Sequence, residues 1–150
     1  MPHINERLDL TVETFIVHNN RVLLRMHDKY KFWLSVGGHI EPNEDPEEAA
    51  IRECKEEVGL DIELYRENKI PDFGEEKQLE IPQAIVRHRI NENHEHVVFV
   101  YFATSKTDQI VQAETEVSDQ IKWFTKEELD QYDIKESIRY YAILALDTVK

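Results

Sequence analysis

A single cysteine, Cys54, occurs in the chain. No internal disulfide can form, and a reducing, cytoplasmic setting is the natural reading. Basic residues are also scarce. Eighteen Lys and Arg stand against 31 Asp and Glu, a formal net charge of −13. That balance lacks the basic footprint by which proteins hold nucleic acid or an anionic membrane. It does leave room for a small anionic substrate, because bound cations invert a local field. No apolar run approaches the ~18 residues of a membrane helix, and the opening MPHINERLDL carries no apolar signal-peptide core. There is no internal repeat, low-complexity linker or sharp shift of composition. Hydrophobic residues make up 41% of the chain and charged residues 33%, which places it among globular domains rather than disordered segments. Its 150 residues suit one domain, residues 1–150, acting as a monomer or homodimer.

Along the chain, LTVETFIVHNNRVLLRMH reads as two strands around a tight turn at Asn19 and Asn20, which tolerate positive φ. KFWLSV reads as a short strand leading into Gly37 and Gly38. Residues 45–59 form the clearest helix. Asp45 is placed to cap it, Pro46 suits its first position, Glu48 completes a capping box and Gly59 suits its end. LDIELY is a further strand, and the polar stretch 66–81 a loop. QAIVRHRI and HVVFVYFAT form a strand pair joined by NENHEH, and QIKWF is a last strand. Thr125 with Glu128, and Asp133 with Glu136, suggest capping boxes for two closing helices. The order of elements points to an α+β fold, an α/β/α sandwich with a mixed β-sheet between helices.

The stretch GGHIEPNEDPEEAAIRECKEEVGL holds eight carboxylates and one arginine. Residues three and four apart share a helix face, so Glu53, Glu56 and Glu57 project from one side. Ala50, Ile51, Cys54 and Val58 fall on a different, core-like side, while Ala49 leaves room on the acidic one. Like charges at these spacings oppose the helix by a few tenths of a kcal/mol per pair. A hard divalent cation reverses that sign, and carboxylate oxygens are what Mg²⁺ or Mn²⁺ selects. A merely solvated acidic face is the plainer reading of such a run.

The spacing G-x₅-E-x₇-R-E-x-x-E-E-x-G, from Gly38 through Glu44, Arg52, Glu53, Glu56 and Glu57 to Gly59, resembles the signature of the Nudix hydrolases, the family of the MutT-type enzymes. Leu60 fits one of its two aliphatic positions, and Cys54 departs mildly at the other. The resemblance implies metal-dependent hydrolysis of a diphosphate linkage in a nucleoside diphosphate derivative, by water attack on phosphorus. Such chemistry needs charge neutralisation and in-line positioning more than covalent help. It also implies roles for particular residues. Glu53, Glu56 and Glu57 take metal-ligand and base roles, with Glu53 either ligand or base, and the Gly37 carbonyl is a backbone ligand. Arg52 and Glu44 form a structural ion pair, with Gly38 and Gly59 completing the frame. A further carboxylate often comes from a distant loop. Glu116 is the candidate here and Glu114 the substitute.

Other residues are expected toward the substrate. Arg25 and His27 share a strand face, as do Arg87 and Arg89, and any of them suits a phosphate. Phe32 and Trp33 suit a base, with core packing as the plainer alternative. His88, His94 and His96 read as surface or substrate-side residues rather than a zinc site, since no cysteine pairs with them. Val36 replaces the family's usual proline before the glycines, and His39 follows them. The proline of ADP-ribose enzymes and the tyrosine of dinucleoside polyphosphate enzymes are not found at their spacings. The expected substrate is therefore a nucleoside triphosphate or nucleotide-sugar. The alternatives are an isoprenoid-diphosphate isomerase, which relies on an active-site cysteine, and a non-catalytic nucleotide-sensing domain, which typically loses the glutamates kept here.

Overall fold

The computed structural model describes residues 7–27, 29–67, 71–112 and 120–149. Eight strands form one mixed sheet. The strands are β1 (Leu8–His18), β2 (Arg21–Met26), β3 (Trp33–Leu34), β4 (Val36–His39), β5 (Ile62–Leu64), β6 (Ala84–Asn91), β7 (His94–Ser105) and β8 (Ile121–Phe124), and the helices are α1 (Pro46–Val58), α2 (Lys126–Gln131) and α3 (Glu136–Thr148). The order β3-β2-β1-β7-β5 is the spine of the sheet, with β4 also paired to β1, β6 to β7 and β8 to β2. Among the described residues only β1 and β7 run parallel, and the other pairs are antiparallel. The α+β arrangement expected from the sequence is therefore present.

Alternation along β1 sorts the two cores. Val12 and Ile16 pack under α1, in clusters with Ala49, Ala50, Cys54, Val58 and Leu60. Phe15 and Val17 face the other way and join Phe102, Phe124, Ile138, Ala142 and Ala145 under α3. Each strand residue thus commits to one helix layer or the other. Toward the start of β1 the α3-facing positions become Asp9, Thr11 and Glu13, and the apolar core on that side gives way to a cleft.

Local signals account for most boundaries. Asn19 and Asn20 both take positive φ, at 49° and 59°, between β1 and β2. Asp45 and Glu48 form the capping box of α1, and Gly59 closes the helix in the left-handed region at φ 70°. Thr125 and Glu128 cap α2 in the same way. The second box is not formed. α3 starts after Lys135 with no side-chain cap, because Asp133 lies too far ahead of the first turn. Two further expectations change. KFWLSV divides between β3 and β4, which holds the glycine pair, and β7 begins at His94, so His94 belongs to a strand and not to its connection.

Candidate active site

α1 carries its glutamates where the sheet leaves space for them. The buried arc of this helix includes Glu47, Ala49, Ala50, Glu53, Cys54, Glu57 and Val58. Ile51, expected in the core, falls just outside that arc and is 45% exposed, whereas Ala49 is fully buried rather than facing a ligand. Glu53 and Glu57 thus lie within the buried face, at 8% and 7% exposure, with Glu56 outside on the solvent side. For Glu53, Gly38 of β4 makes this possible. A Cβ at Gly38 would collide with the Glu53 carboxylate, and one at Gly37 with the Val12 carbonyl of β1. The pair is required for close approach and not for a turn.

Arg52 organises the acidic end. Its Nε donates to Glu44 Oε2 at 2.7 Å and its NH2 to Glu44 Oε1 at 2.9 Å, a two-pronged pair. NH1 donates to Glu53 at 2.9 Å and to Glu56 at 3.1 Å, and NH2 also reaches the His39 carbonyl at 3.0 Å. The guanidinium hydrogen bond holds the Glu44 carboxyl below the usual carboxylate range, and Glu44 in turn pushes the Arg52 pKa further up. Glu44 also accepts from the Glu41 amide at 3.0 Å. The expected Arg52–Glu44 tie between loop and helix is present, and it extends to β4 and to two of the three box glutamates. Glu57 pairs instead with Arg25 NH1 of β2 at 2.6 Å.

Two cavities meet here. The smaller, about 300 Å³, is lined by Arg25, His27, Lys29, Leu34, Ser35, Gly37 and Glu57. It joins a carboxylate to cationic groups. The larger, about 480 Å³, lies on the α3 side of the sheet and shares His27, Leu34, Ser35 and Gly37 with the first. Its apolar walls include Val86, Ile90, Val98, Ile138 and Tyr141. At its mouth Phe32 stacks on His27 with ring centroids 5.7 Å apart, and Tyr30 stands 4.9 Å from the same imidazole. Polar groups are few: Thr11, Glu13, His88, Lys135 and Ser137 among them. Burial raises the Glu13 carboxyl pKa and lowers that of His88.

The sequence candidates separate accordingly. Arg25, His27, Gly37 and Glu57 come together, with Phe32 at the neighbouring mouth. Trp33 does not join them. It packs edge-to-face on Phe124 at 5.0 Å inside the core, where its indole serves packing. Arg87 is also placed elsewhere. It donates to Glu95 at 2.7 Å on the surface, and strand alternation turns it away from the cleft that Val86 and His88 line. Cys54 is fully buried and burial raises its thiol pKa, so it is a core residue. Glu114 and Glu116 lie outside the described residues. The flanks of their segment are placed: the Val111 amide donates to the Val58 carbonyl at 2.9 Å, and Met26 donates to Gln120 at 2.8 Å. Asp9, Glu13, Lys135 and Tyr141 went unread in the sequence. The one signal was the loss of apolar residues at alternate positions of β1.

The family model of the NUDIX domain matches residues 9–145, and the chain belongs to that family. A solved Nudix-family hydrolase from Clostridium perfringens superposes with a TM-score of 0.88 at 40% identity, over 98% of this chain and 100% of that one. Two curated relatives match over shorter segments. Dihydroneopterin triphosphate diphosphatase of Haemophilus influenzae is 57% identical over 44 residues, 29% of this chain and 28% of its own length. 8-oxo-dGTP diphosphatase of Proteus vulgaris is 52% identical over 31 residues, 21% of this chain and 28% of its own. Each match thus spans little more than a quarter of the relative.

Proposed function

We propose that the chain acts as a single-domain cytoplasmic pyrophosphohydrolase. It would cleave a diphosphate linkage in a nucleoside triphosphate or nucleotide-sugar by attack of water on phosphorus. The observation that carries this reading is the meeting of the two cavities at Gly37. One side offers the Glu57 carboxylate beside Arg25 and Lys29, and the other an apolar slot with stacked rings at its mouth. A ligand with a flat apolar end and a polyanionic end fits that pair. Family membership and the diphosphatase names of the two relatives support the same reaction class.

The donor set fits a hard divalent cation, Mg²⁺ or Mn²⁺, because Glu53, Glu56, Glu57 and the Gly37 main chain offer oxygen alone. Bound there, such an ion would neutralise phosphate oxygens and make water a better nucleophile. The rest falls to the chain. Arg25 and Lys29 receive phosphate charge, Arg52 orients Glu53 and Glu56, and the larger cleft takes the base with Glu13 and Lys135 as its polar contacts. Glu53 and Glu116 are the carboxylates proposed to take the proton from water. The buried Cys54 argues against an isomerase that needs an active-site thiol, and the complete glutamate set against a sensing domain. Incubation with a nucleotide panel, with orthophosphate and pyrophosphate measured separately, tests the proposal. Release of either product from at least one nucleotide, dependent on Glu57, is expected. No release from any member would overturn it.

A further inference from the structure

On the α3 face, three neighbouring strands bring four ligand-type side chains to one point. β1 lies between β4 and β7. Asp9 of β1 pairs in register with His96 of β7, and Thr11 with His39 of β4. Residues two apart on a strand share a face, so Asp9, His39, His94 and His96 all project to the same side. Asp9 Oδ2 stands 3.5 Å from His39 Nε2 and 3.4 Å from His94 Nε2. His94 Nε2 stands 3.1 Å from His96 Nε2. All four donor atoms lie within 4.8 Å of one another.

We propose that Asp9, His39, His94 and His96 form a binding site for a zinc-class divalent transition-metal ion, separate from the glutamates of α1. Four ligands at Zn–N and Zn–O lengths of about 2.0–2.2 Å place neighbouring donors about 3.3–3.5 Å apart in a tetrahedron. The spacings of 3.1, 3.4 and 3.5 Å are near those edges. A neutral imidazole offers a single N–H. Yet His94 Nε2 faces both a carboxylate oxygen and a second imidazole nitrogen, and Asp9 Oδ2 faces two imidazoles. Side chains converging on a common point suit an ion between them better than a chain of pairwise hydrogen bonds. The donor set points the same way, since three imidazoles and one carboxylate suit zinc and its neighbours, whereas Mg²⁺ prefers oxygen. Burial suits a closed site: Asp9 is 1% exposed and His94 6%, and a buried carboxylate needs compensating charge.

Such an ion would tie β4 to β7 across β1. It would also fix His39, whose carbonyl accepts from Arg52 on the glutamate side and whose ring lines the larger cleft with His96. The proposal does not depend on what the chain hydrolyses, and its test reads metal rather than turnover. The intact chain, stripped with chelator, is titrated with Co²⁺, whose visible absorption is strong in tetrahedral and weak in octahedral coordination. One Co²⁺ per chain with the strong band is expected, displaced by Zn²⁺ and not by excess Mg²⁺. Glu57→Gln should keep the band. The His94→Gln/His96→Gln double variant should lose it, with affinity at least about 100-fold weaker, since even outer-shell changes cost 10–100-fold. Absence of a saturable strong band in the wild-type chain would overturn the proposal whether or not the double variant folds. So would a band lost in Glu57→Gln or kept in a folded double variant.

Discussion

Two clusters of ionisable side chains flank strand β4, and they are assembled by different means. On one side Glu53 and Glu57 come from consecutive turns of one helix and meet Arg25 and Arg52. On the other, Asp9, His39, His94 and His96 come from three strands and meet one another. The first cluster offers oxygen beside ion-paired guanidinium groups and opens on a cavity. The second offers mostly nitrogen, and half of it is fully enclosed. Helix periodicity writes a site within a dozen residues of sequence, whereas strand register writes one from Asp9 to His96. The first kind can be read from a single sequence, and the second emerges only when the strands are paired.

Breaking the glutamate cluster should give the largest effect. Glu57→Gln keeps shape and removes charge, and turnover should fall about 10²–10⁴-fold, the range for losing a group that works in the transition state. The melting transition should remain cooperative. Steady-state kinetics beside a thermal melt separates the two, and near wild-type turnover would remove Glu57 from the chemistry.

Glu116→Gln sharpens the comparison by asking whether the helix acts alone. A carboxylate that works on water should lower kcat by about tenfold or more with little change in KM. If Glu116→Gln and Glu114→Gln both keep wild-type turnover, Glu53 carries the base role.

Next in size is Arg52→Ala. It leaves Glu44 without its two-pronged partner, and a loss of about 2–3 kcal/mol is expected, somewhat below that for a fully buried pair. The acid limb offers a second readout. Because the Glu44 pKa is lowered in the fold, its contribution is present above the ordinary carboxylate range and is lost as pH falls through the lowered value. Denaturant melts carried from neutral pH down through that range to the lowered value should therefore converge for wild type and Arg52→Ala. Parallel curves would show that the pair is not structural.

The smallest effect belongs to Arg87→Ala. Loss of this exposed pair with Glu95 should leave the thermal melt nearly unchanged, because solvent screens such pairs, and leave KM untouched. A raised KM would return Arg87 to the substrate site.

The glutamate helix was legible because its signals are local: a capping box, a stop glycine and charges at helical spacing. Its orientation was not. Helical spacing put Glu53, Glu56 and Glu57 on one side, but Glu53 and Glu57 lie in the buried arc while Glu56 faces solvent, and Gly38 vacates the space that the Glu53 carboxylate fills. Phe32 and Trp33 show the same limit. Phe32, just ahead of β3, goes to the cleft mouth and Trp33, which opens the strand, to the core, and composition cannot say which. The place of His94 was missed for a related reason. His94 was read as part of a connection, and two further ladder pairs, Arg89 with Glu95 and Asn91 with His94, place it in β7, facing Asp9 some 85 positions earlier. The mixed sheet between helices followed from element order, while the register that builds its second cluster did not.

The most direct test of the account is to strip the chain of metal and follow hydrolysis of its best nucleotide as Mg²⁺ is returned. The account predicts turnover near zero in chelator, restored by Mg²⁺ or Mn²⁺ in the wild type and not in Glu57→Gln. Full turnover in metal-free buffer would contradict it.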